Sequence, residues 1–308
     1  MIRLSDCDVV FLSYDEPNAD DHYARLVEAI PRARRVHGVK GFDAAHRRAG
    51  ETAASVHVVT VDADNILVDP GFLDGSFDVA ARDTASVFSF SARNGLNGLE
   101  YGFGGVKIWP RTVLTTLRTH ERAARREAAV DFCWTVPYFQ VNRVVSEVQA
   151  TASPYQAFRG GFREGVKFNF AEGRLAYEVW PELSRGEALR RHLGPMGLER
   201  LRIWCSVGRD VENGDWAIFG ARLGCAMTAL EGFDHARVAD YDWFAGYWTD
   251  HVLPRWSDKA AREADAEALL DRLNRELDLG LADLSASASE FFKSLFRPRR
   301  GFGPMSVA

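Results

Sequence analysis

The sequence predicts an α/β fold with a Rossmann-type, mostly parallel sheet flanked by helices and a helical extension at the carboxyl end. Two observations carry this prediction. Short apolar runs alternate with amphipathic segments of helical length over residues 9–61, an order typical of parallel strands joined by right-handed helical crossovers. Residues 257–279 are rich in Ala, Glu, Arg and Leu, which favours a helix.

The elements follow from local pattern. Val9 to Leu12 form an apolar run that opens into a polar loop before Pro17, as a buried strand does. A helix is expected from Asp20 or Asp21 to about Ile30, before a proline. The other predicted elements are strands at 34–39, 56–61, 85–92 and 104–110 and helices at 42–54, 112–130, 184–193 and 257–279.

Composition narrows the class of protein. The chain has 308 residues, 46% of them hydrophobic, and a formal net charge of -5, which gives no general attraction to polyanions. Its longest apolar runs are far shorter than a membrane span, and its four cysteines lack C-x-x-C spacing. We therefore expect a soluble cytoplasmic protein with buried free thiols and no membrane partner.

The triplet Asp62-Ala63-Asp64 directly follows the predicted strand at 56–61. Ligands of parallel sheets collect at the carboxyl ends of strands, and side chains at i and i+2 face the same side. The two aspartates are thus placed to hold Mg²⁺ or Mn²⁺, ions that keep open positions for water and diphosphate oxygens. The alternative is that they only cap the following turn.

The segments VVFLSYDEPNADDHYARL, RRVHGVKGFDAAHRRA and VTVDADN resemble the amino-terminal half of the glycosyltransferase A (GT-A) fold. They are similar to the TET-associated glycosyltransferases of bacteriophages and other DNA-modifying systems, and the likeness extends over most of residues 8–230. The resemblance implies a metal-dependent enzyme that moves a sugar from a nucleotide-sugar, most simply a UDP-sugar. The implied acceptor is a hydroxymethylated pyrimidine in DNA, 5-hydroxymethylcytosine first.

The same resemblance implies a nucleotide pocket at the end of the first strand, with Ala63 between the two metal-binding aspartates. The pocket residues would be Ser13, Tyr14, Asp15 and Glu16, for which turn formation with the next proline is the alternative.

On the predicted helix at 42–54, Asp43 and His46 share one face. That helix begins at a glycine, and its amino end could contact an anionic ligand. A solvated helix face is the alternative.

Asp131 is the candidate base that takes the proton of the acceptor hydroxyl. Only inverting chemistry requires such a base, and the alternative role of Asp131 is that of a helix N-cap.

Arg163 and Lys167 lie four residues apart and would form part of a basic stripe if their segment is helical. This stripe would hold a diphosphate or a DNA phosphate. Because two consecutive glycines weaken a helix, a loop is the alternative structure for this segment. Solvation at the protein surface is the alternative role of both cations.

We expect a GT-A-like domain over 1–255, with a nucleotide-sugar half at 1–110 and an acceptor half at 111–255, followed by a helical extension and tail at 256–308. If the chain is encoded by a phage, it would act in the host cytoplasm. Two other functions stay open: a glycosyltransferase for a glycan or small-molecule acceptor, and an inactive binding module of the same fold.

Overall fold

The computed structural model describes residues 1–77, 85–102, 104–118, 136–171 and 174–296. Within them the chain forms two compact units, the first from 1–118 with 136–149 and the second from 150–296. The boundary that the sequence suggested at 255 lies inside the second unit, because the helices on both sides of it pack together. No helix in the described part of the chain is both long and apolar enough to cross a membrane.

The first unit is built on a mixed, mostly parallel sheet. The strands of the first unit are β1 (Ile2–Arg3), β2 (Asp8–Ser13), β3 (Arg34–His37), β4 (His57–Asp62), β5 (Asn65–Leu67), β6 (Ser76–Phe77), β7 (Val87–Asn94), β8 (Glu100–Tyr101), β9 (Val106–Pro110) and β10 (Tyr138–Val148). β1 and β6 pair with each other in a separate two-stranded sheet. In the described residues the main sheet has the order β3-β2-β4-β9-β7-β10-β5, with β8 beside β7. β2, β3, β4, β7 and β10 run in one direction, and β5, β8 and β9 run against them.

Helices cover both faces of this sheet, which confirms the predicted α/β class. They are α1 (Ala19–Ala29), α2 (Phe42–Thr52) and α3 (Arg111–Thr116). Leu26 of α1 packs in one apolar cluster with Phe11 and Val61. Ala49 of α2 and Leu114 of α3 pack in another cluster on the opposite face. Central strands are apolar on both sides because each side meets a helix.

The second unit is mainly helical. After α4 (Pro154–Lys167) come the paired strands β11 (Phe170–Ala171) and β12 (Arg174–Leu175), then α5 (Ala176–Val179), α6 (Arg185–Trp204), α7 (Gly214–Glu231), α8 (Tyr241–Tyr247), α9 (Leu253–Trp256), α10 (Lys259–Leu277) and α11 (Ala286–Leu295). α7 is its central helix, with nearly every residue buried.

Glycines let α4 and α7 approach each other closely. A Cβ added to Gly161 would lie 1.9 Å from the Ala217 carbonyl oxygen, and one added to Gly220 would lie 2.3 Å from the Phe158 carbonyl oxygen. Neither distance is possible for real atoms, so the backbones occupy the space of side chains. The sequence leaves a loop as the alternative structure around Gly160 and Gly161. In the folded protein both lie in α4, and the absence of a side chain at Gly161 allows this helix to pack closely on α7.

A buried arginine ties the carboxyl-terminal part of this unit to α7. Arg222 is fully buried and donates to the carbonyl oxygens of Cys205 and Ala266, each at 2.8 Å, and to Asp283 at 2.7 Å. Burial opposes ionisation of Asp283, but its hydrogen bonds from Arg209 and Arg222 outweigh burial and hold its pKa below the usual value.

Asp283→Asn is expected to reduce the free energy of unfolding by about 2 kcal/mol at pH 7, the value of a hydrogen bond to a charged group. Because the folded-state pKa of Asp283 is lowered, its stabilising effect is present above the unfolded-state pKa and is lost as the pH falls through the folded-state value. Urea unfolding of both proteins from pH 7 to pH 3 tests this. The difference between them should shrink below about pH 4; a difference that stays constant would contradict the role of this ion pair.

Candidate active site

Asp62 ends β4 and pairs with a buried lysine from β9. Lys107 lies opposite Thr60 in the β4–β9 register, and Thr60 shares a strand face with Asp62. The Lys107 Nζ donates to Asp62 Oδ2 at 3.3 Å. The lysine side chain is 4% exposed and the aspartate side chain 33% exposed, so a buried cation meets an accessible carboxylate at the carboxyl end of β4.

Asp64 lies in the turn between β4 and β5, in a strongly negative environment. Its Oδ1 accepts a hydrogen bond from Asn65 Nδ2 at 2.7 Å. Burial, followed by the charge of Asp62, raises the pKa of Asp64 to about 6, and the charge of Glu16 acts in the same direction. Three carboxylates therefore interact here, and a divalent cation would stabilise their ionised forms.

Backbone contacts fix the turn that carries the two aspartates. His22 Nδ1 donates to the Ala63 carbonyl oxygen at 2.7 Å, so its Nε2 is the acceptor for Asn18 Nδ2 at 3.3 Å. Asn18 Nδ2 also donates to the Gln149 carbonyl oxygen at 2.8 Å, and the Gln149 amide donates to the Asp64 carbonyl oxygen at 2.6 Å. The Ala63 side chain points into the apolar core, so this residue contributes backbone only.

The loop after β2 begins with a buried polar cluster. Ser13 is buried, and its hydroxyl accepts from Arg35 Nε at 2.8 Å and lies 3.0 Å from His37 Nδ1. Because the hydroxyl accepts from arginine, its own hydrogen is available for the imidazole. The cluster joins the carboxyl ends of β2 and β3, where the sequence places the nucleotide pocket.

The next three residues combine a turn with proximity to the aspartates. Tyr14 is half-buried and Asp15 is exposed. Glu16 Oε2 accepts the Tyr14 amide at 2.7 Å, which is the turn-forming role that the sequence left open. Since the charge of Glu16 also acts on Asp64, this carboxylate belongs to the same acidic group.

Both candidate residues on α2 are buried, so the alternative of a solvated helix face is wrong. Asp43 is 1% exposed and His46 is 3% exposed. His46 Nδ1 donates to the Phe42 carbonyl oxygen at 2.9 Å, and its ring meets the Trp109 ring edge-on at 5.1 Å. Burial lowers the pKa of His46 to about 4, although the charges of Asp62 and Asp43 raise it. His46 is therefore a neutral imidazole beside the Asp62–Lys107 pair.

The remaining candidates lie elsewhere in the chain. Arg163 and Lys167 belong to α4 of the second unit, where Lys167 contacts Glu164 at 3.5 Å and both cations are half-buried. Asp131 lies outside the described residues.

The donor set at the end of β4 is compatible with a hard divalent ion. Asp62 and Asp64 supply two carboxylates, and the described residues contain no group of three or more His, Cys, Asp or Glu side chains arranged to hold a metal. Mg²⁺ is commonly held by one or two carboxylates, with water and phosphate oxygens as its other ligands.

The chain was compared with known proteins. No protein-family model and no curated protein sequence matches it. A solved structure with some similarity is the mannosyltransferase PcManGT from Pyrobaculum calidifontis in complex with GDP-Man and Mn²⁺, which is 15% identical with a TM-score of 0.36, over 86% of this chain and 87% of that chain. A likeness of this size does not show a family or a substrate for this chain.

Proposed function

We propose that this protein is a metal-dependent glycosyltransferase that transfers a sugar from a nucleotide-sugar to a hydroxyl acceptor. The observation that carries the proposal is the acidic group at the carboxyl end of β4, where the pKa of Asp64 is raised to about 6 by burial and by the charge of Asp62. Carboxylates held together at a strand end in this way are suited to a cation that in turn binds diphosphate.

Each side chain has a role in this proposal. Asp62 and Asp64 would hold Mn²⁺ or Mg²⁺, which when bound neutralises charge on the leaving diphosphate. Ser13, Tyr14, Asp15 and Glu16 would line the nucleotide pocket.

Two further pairs of residues have proposed roles. Asp43 and His46 would complete the nucleotide site from the α2 side. Arg163 and Lys167 would bind a diphosphate or an acceptor phosphate.

The chemical step forms a bond between the acceptor oxygen and the anomeric carbon and breaks the bond from that carbon to the diphosphate oxygen. The acceptor proton passes to Asp131 if the configuration inverts. A UDP-sugar is the proposed donor, and a hydroxymethylated pyrimidine in DNA, 5-hydroxymethylcytosine first, is the proposed acceptor, on the resemblance to the TET-associated family.

Duplex DNA containing 5-hydroxymethylcytosine, incubated with the protein, Mn²⁺ and UDP-sugars or GDP-sugars in turn, is expected to gain one sugar per modified base. Mass spectrometry of the digested nucleosides measures the gain, and DNA with ordinary cytosine is the matched control, since it lacks the acceptor hydroxyl. Donor hydrolysis without labelled DNA would make the DNA acceptor wrong and favour a glycan or small molecule. No turnover of any donor would contradict the enzyme assignment and favour a binding module.

A further inference from the structure

Asn65 connects the carboxylate of Asp64 to the neighbouring strand β10. It begins β5 and is 3% exposed. Its Nδ2 donates to Asp64 Oδ1 at 2.7 Å. Because the amide nitrogen is the donor in that bond, the amide oxygen is the acceptor in the other one, which comes from the Ser146 hydroxyl at 2.8 Å. The two bonds together fix the orientation of the Asn65 amide.

Ser146 holds the amide from the adjacent strand. β5 pairs with the end of β10, where Asn65 lies opposite Val148. Ser146 is two residues before Val148 on β10, so both face the same side of the sheet as Asn65. The serine is fully buried. A buried hydroxyl that lost this acceptor would be left unpaired, which is costly, so the bond to Asn65 is favoured.

The backbone of Gly105 lies against the same amide. A Cβ added to Gly105 would lie 2.2 Å from Asn65 Nδ2 and 2.9 Å from Asp62 Cβ. The amide therefore occupies the space that a side chain at position 105 would fill, close to Asp62. The Gly105 carbonyl oxygen accepts the Asp62 amide at 3.0 Å, which keeps this segment beside the end of β4.

These contacts hold one oxygen of Asp64 and leave the other for a ligand. Oδ1 accepts from Asn65, whereas Oδ2 accepts no hydrogen bond from any residue that the structure describes. The residue is half-buried. Groups that hydrogen-bond to a metal ligand orient it and raise the affinity of the site, and a carboxylate bonded through one oxygen presents the second in a defined direction.

We propose that Asn65 is a positioning residue for the divalent ion and that Ser146 anchors it. The serine hydroxyl sets the orientation of the amide, and the amide nitrogen holds Asp64 so that its Oδ2 is available to the ion. Without Ser146 the amide can rotate by half a turn and bring its oxygen to the carboxylate, where neither group has a hydrogen to donate. This inference rests on the proposed metal-binding role of Asp62 and Asp64.

A double-mutant cycle on Mn²⁺ binding to the full chain, measured by calorimetry with UDP and with GDP in turn, tests the connection. The Kd for Mn²⁺ is expected to rise about tenfold or more in Asn65→Ala, the usual effect of losing a group that orients a metal ligand. Ser146→Ala, which removes no contact to either aspartate, is expected to raise it by a smaller factor. In the double variant no further rise beyond Asn65→Ala is expected, because the serine acts only through the amide.

Ser91→Ala is the matched control. Ser91 is another buried serine of the main sheet, and its hydroxyl donates to the Val141 carbonyl oxygen at 3.2 Å. Both serine variants lose one buried hydroxyl, but only Ser146 is bonded to Asn65. The Kd for Mn²⁺ in Ser91→Ala is expected to stay at the native value. Urea unfolding of each variant measures stability, so that a general loosening of the sheet is recognised as an equal effect in both serine variants.

The outcomes separate this inference from the proposed function. Mn²⁺ binding to the native protein with an unchanged Kd in Asn65→Ala, or with independent rises that add in the double variant, overturns the inference and leaves the metal site intact. An equal rise in Ser91→Ala and Ser146→Ala also overturns it, and this comparison decides the matter if Asn65→Ala fails to fold. Absence of Mn²⁺ binding to the native protein overturns the metal role and this inference with it.

Discussion

Gly161→Ala is expected to reduce the free energy of unfolding by about 3 kcal/mol or more, the upper range for overpacking a well-packed interior. The added methyl carbon would lie 1.9 Å from the Ala217 carbonyl oxygen. That atom belongs to the backbone of α7, which cannot turn aside as a flexible side chain does. Relief requires the two helices to separate, and the aromatic side chains packed between and around them lose contact. Urea unfolding followed by circular dichroism measures the effect.

Gly160→Ala is the matched control, one residue away on the same helix. A Cβ at Gly160 would meet nothing within 4 Å, and replacing a helical glycine by alanine is stabilising by about 0.5–1 kcal/mol. The two substitutions change the same atoms in the same helix, so helix propensity alone predicts the same sign for both. Opposite signs would show that close packing of α4 on α7 determines the cost; two stabilised variants would contradict that packing.

Much of the first unit could be predicted from sequence because its signals are local. Apolar runs of strand length alternate with amphipathic segments, and the predicted elements from the first strand to Val61 agree with β2, α1, β3, α2 and β4 within a few residues. The order of the strands in the sheet was harder to predict from the sequence. β9 lies between β4 and β7 and runs against both, a pairing that depends on contacts distant in the chain.

The same limit explains what sequence reasoning missed at the site. Lys107 lies in a strand pattern, and its contact with Asp62 follows only from the position of β9 beside β4. His22 lies on α1 and supports the turn at Ala63 from a distance of 41 residues along the chain. No local motif marks such partners. The triplet itself could be located, because its position after an apolar strand is a local property.

The second unit was harder to predict for a different reason. α7 is buried around almost its whole circumference, so it lacks the one-sided apolar periodicity that identifies a surface helix. Gly161 and Gly220 each lower helix propensity, although in the folded unit they permit the closest contacts. Tertiary packing outweighs local preference here.

Asp64→Asn is expected to reduce metal-dependent turnover of a nucleotide-sugar by about 100-fold or more, comparable to the loss of one electrostatic stabiliser in an active site. An amide at position 64 keeps an oxygen that can accept from Asn65 but loses the charge proposed to hold Mn²⁺. The Kd for Mn²⁺ in the presence of UDP should therefore rise together with the fall in kcat/KM. Coupled detection of released nucleoside diphosphate measures turnover, and calorimetry measures ion binding.

Protein stability distinguishes this effect from damage to the fold. Burial and the charge of Asp62 raise the pKa of Asp64 to about 6, above the ordinary aspartate value of about 3.9. Because the folded state disfavours the ionised form, the carboxylate that is ionised at pH 7.5 opposes folding. Removing that charge should leave the Tm level or raise it at pH 7.5 while activity falls. Asp21→Asn, at an exposed position of α1, removes one carboxylate without touching the pair and should keep its Mn²⁺ affinity. If Asp64→Asn retains full Mn²⁺-dependent turnover, the ion is held by other groups and the proposed role of the triplet is wrong.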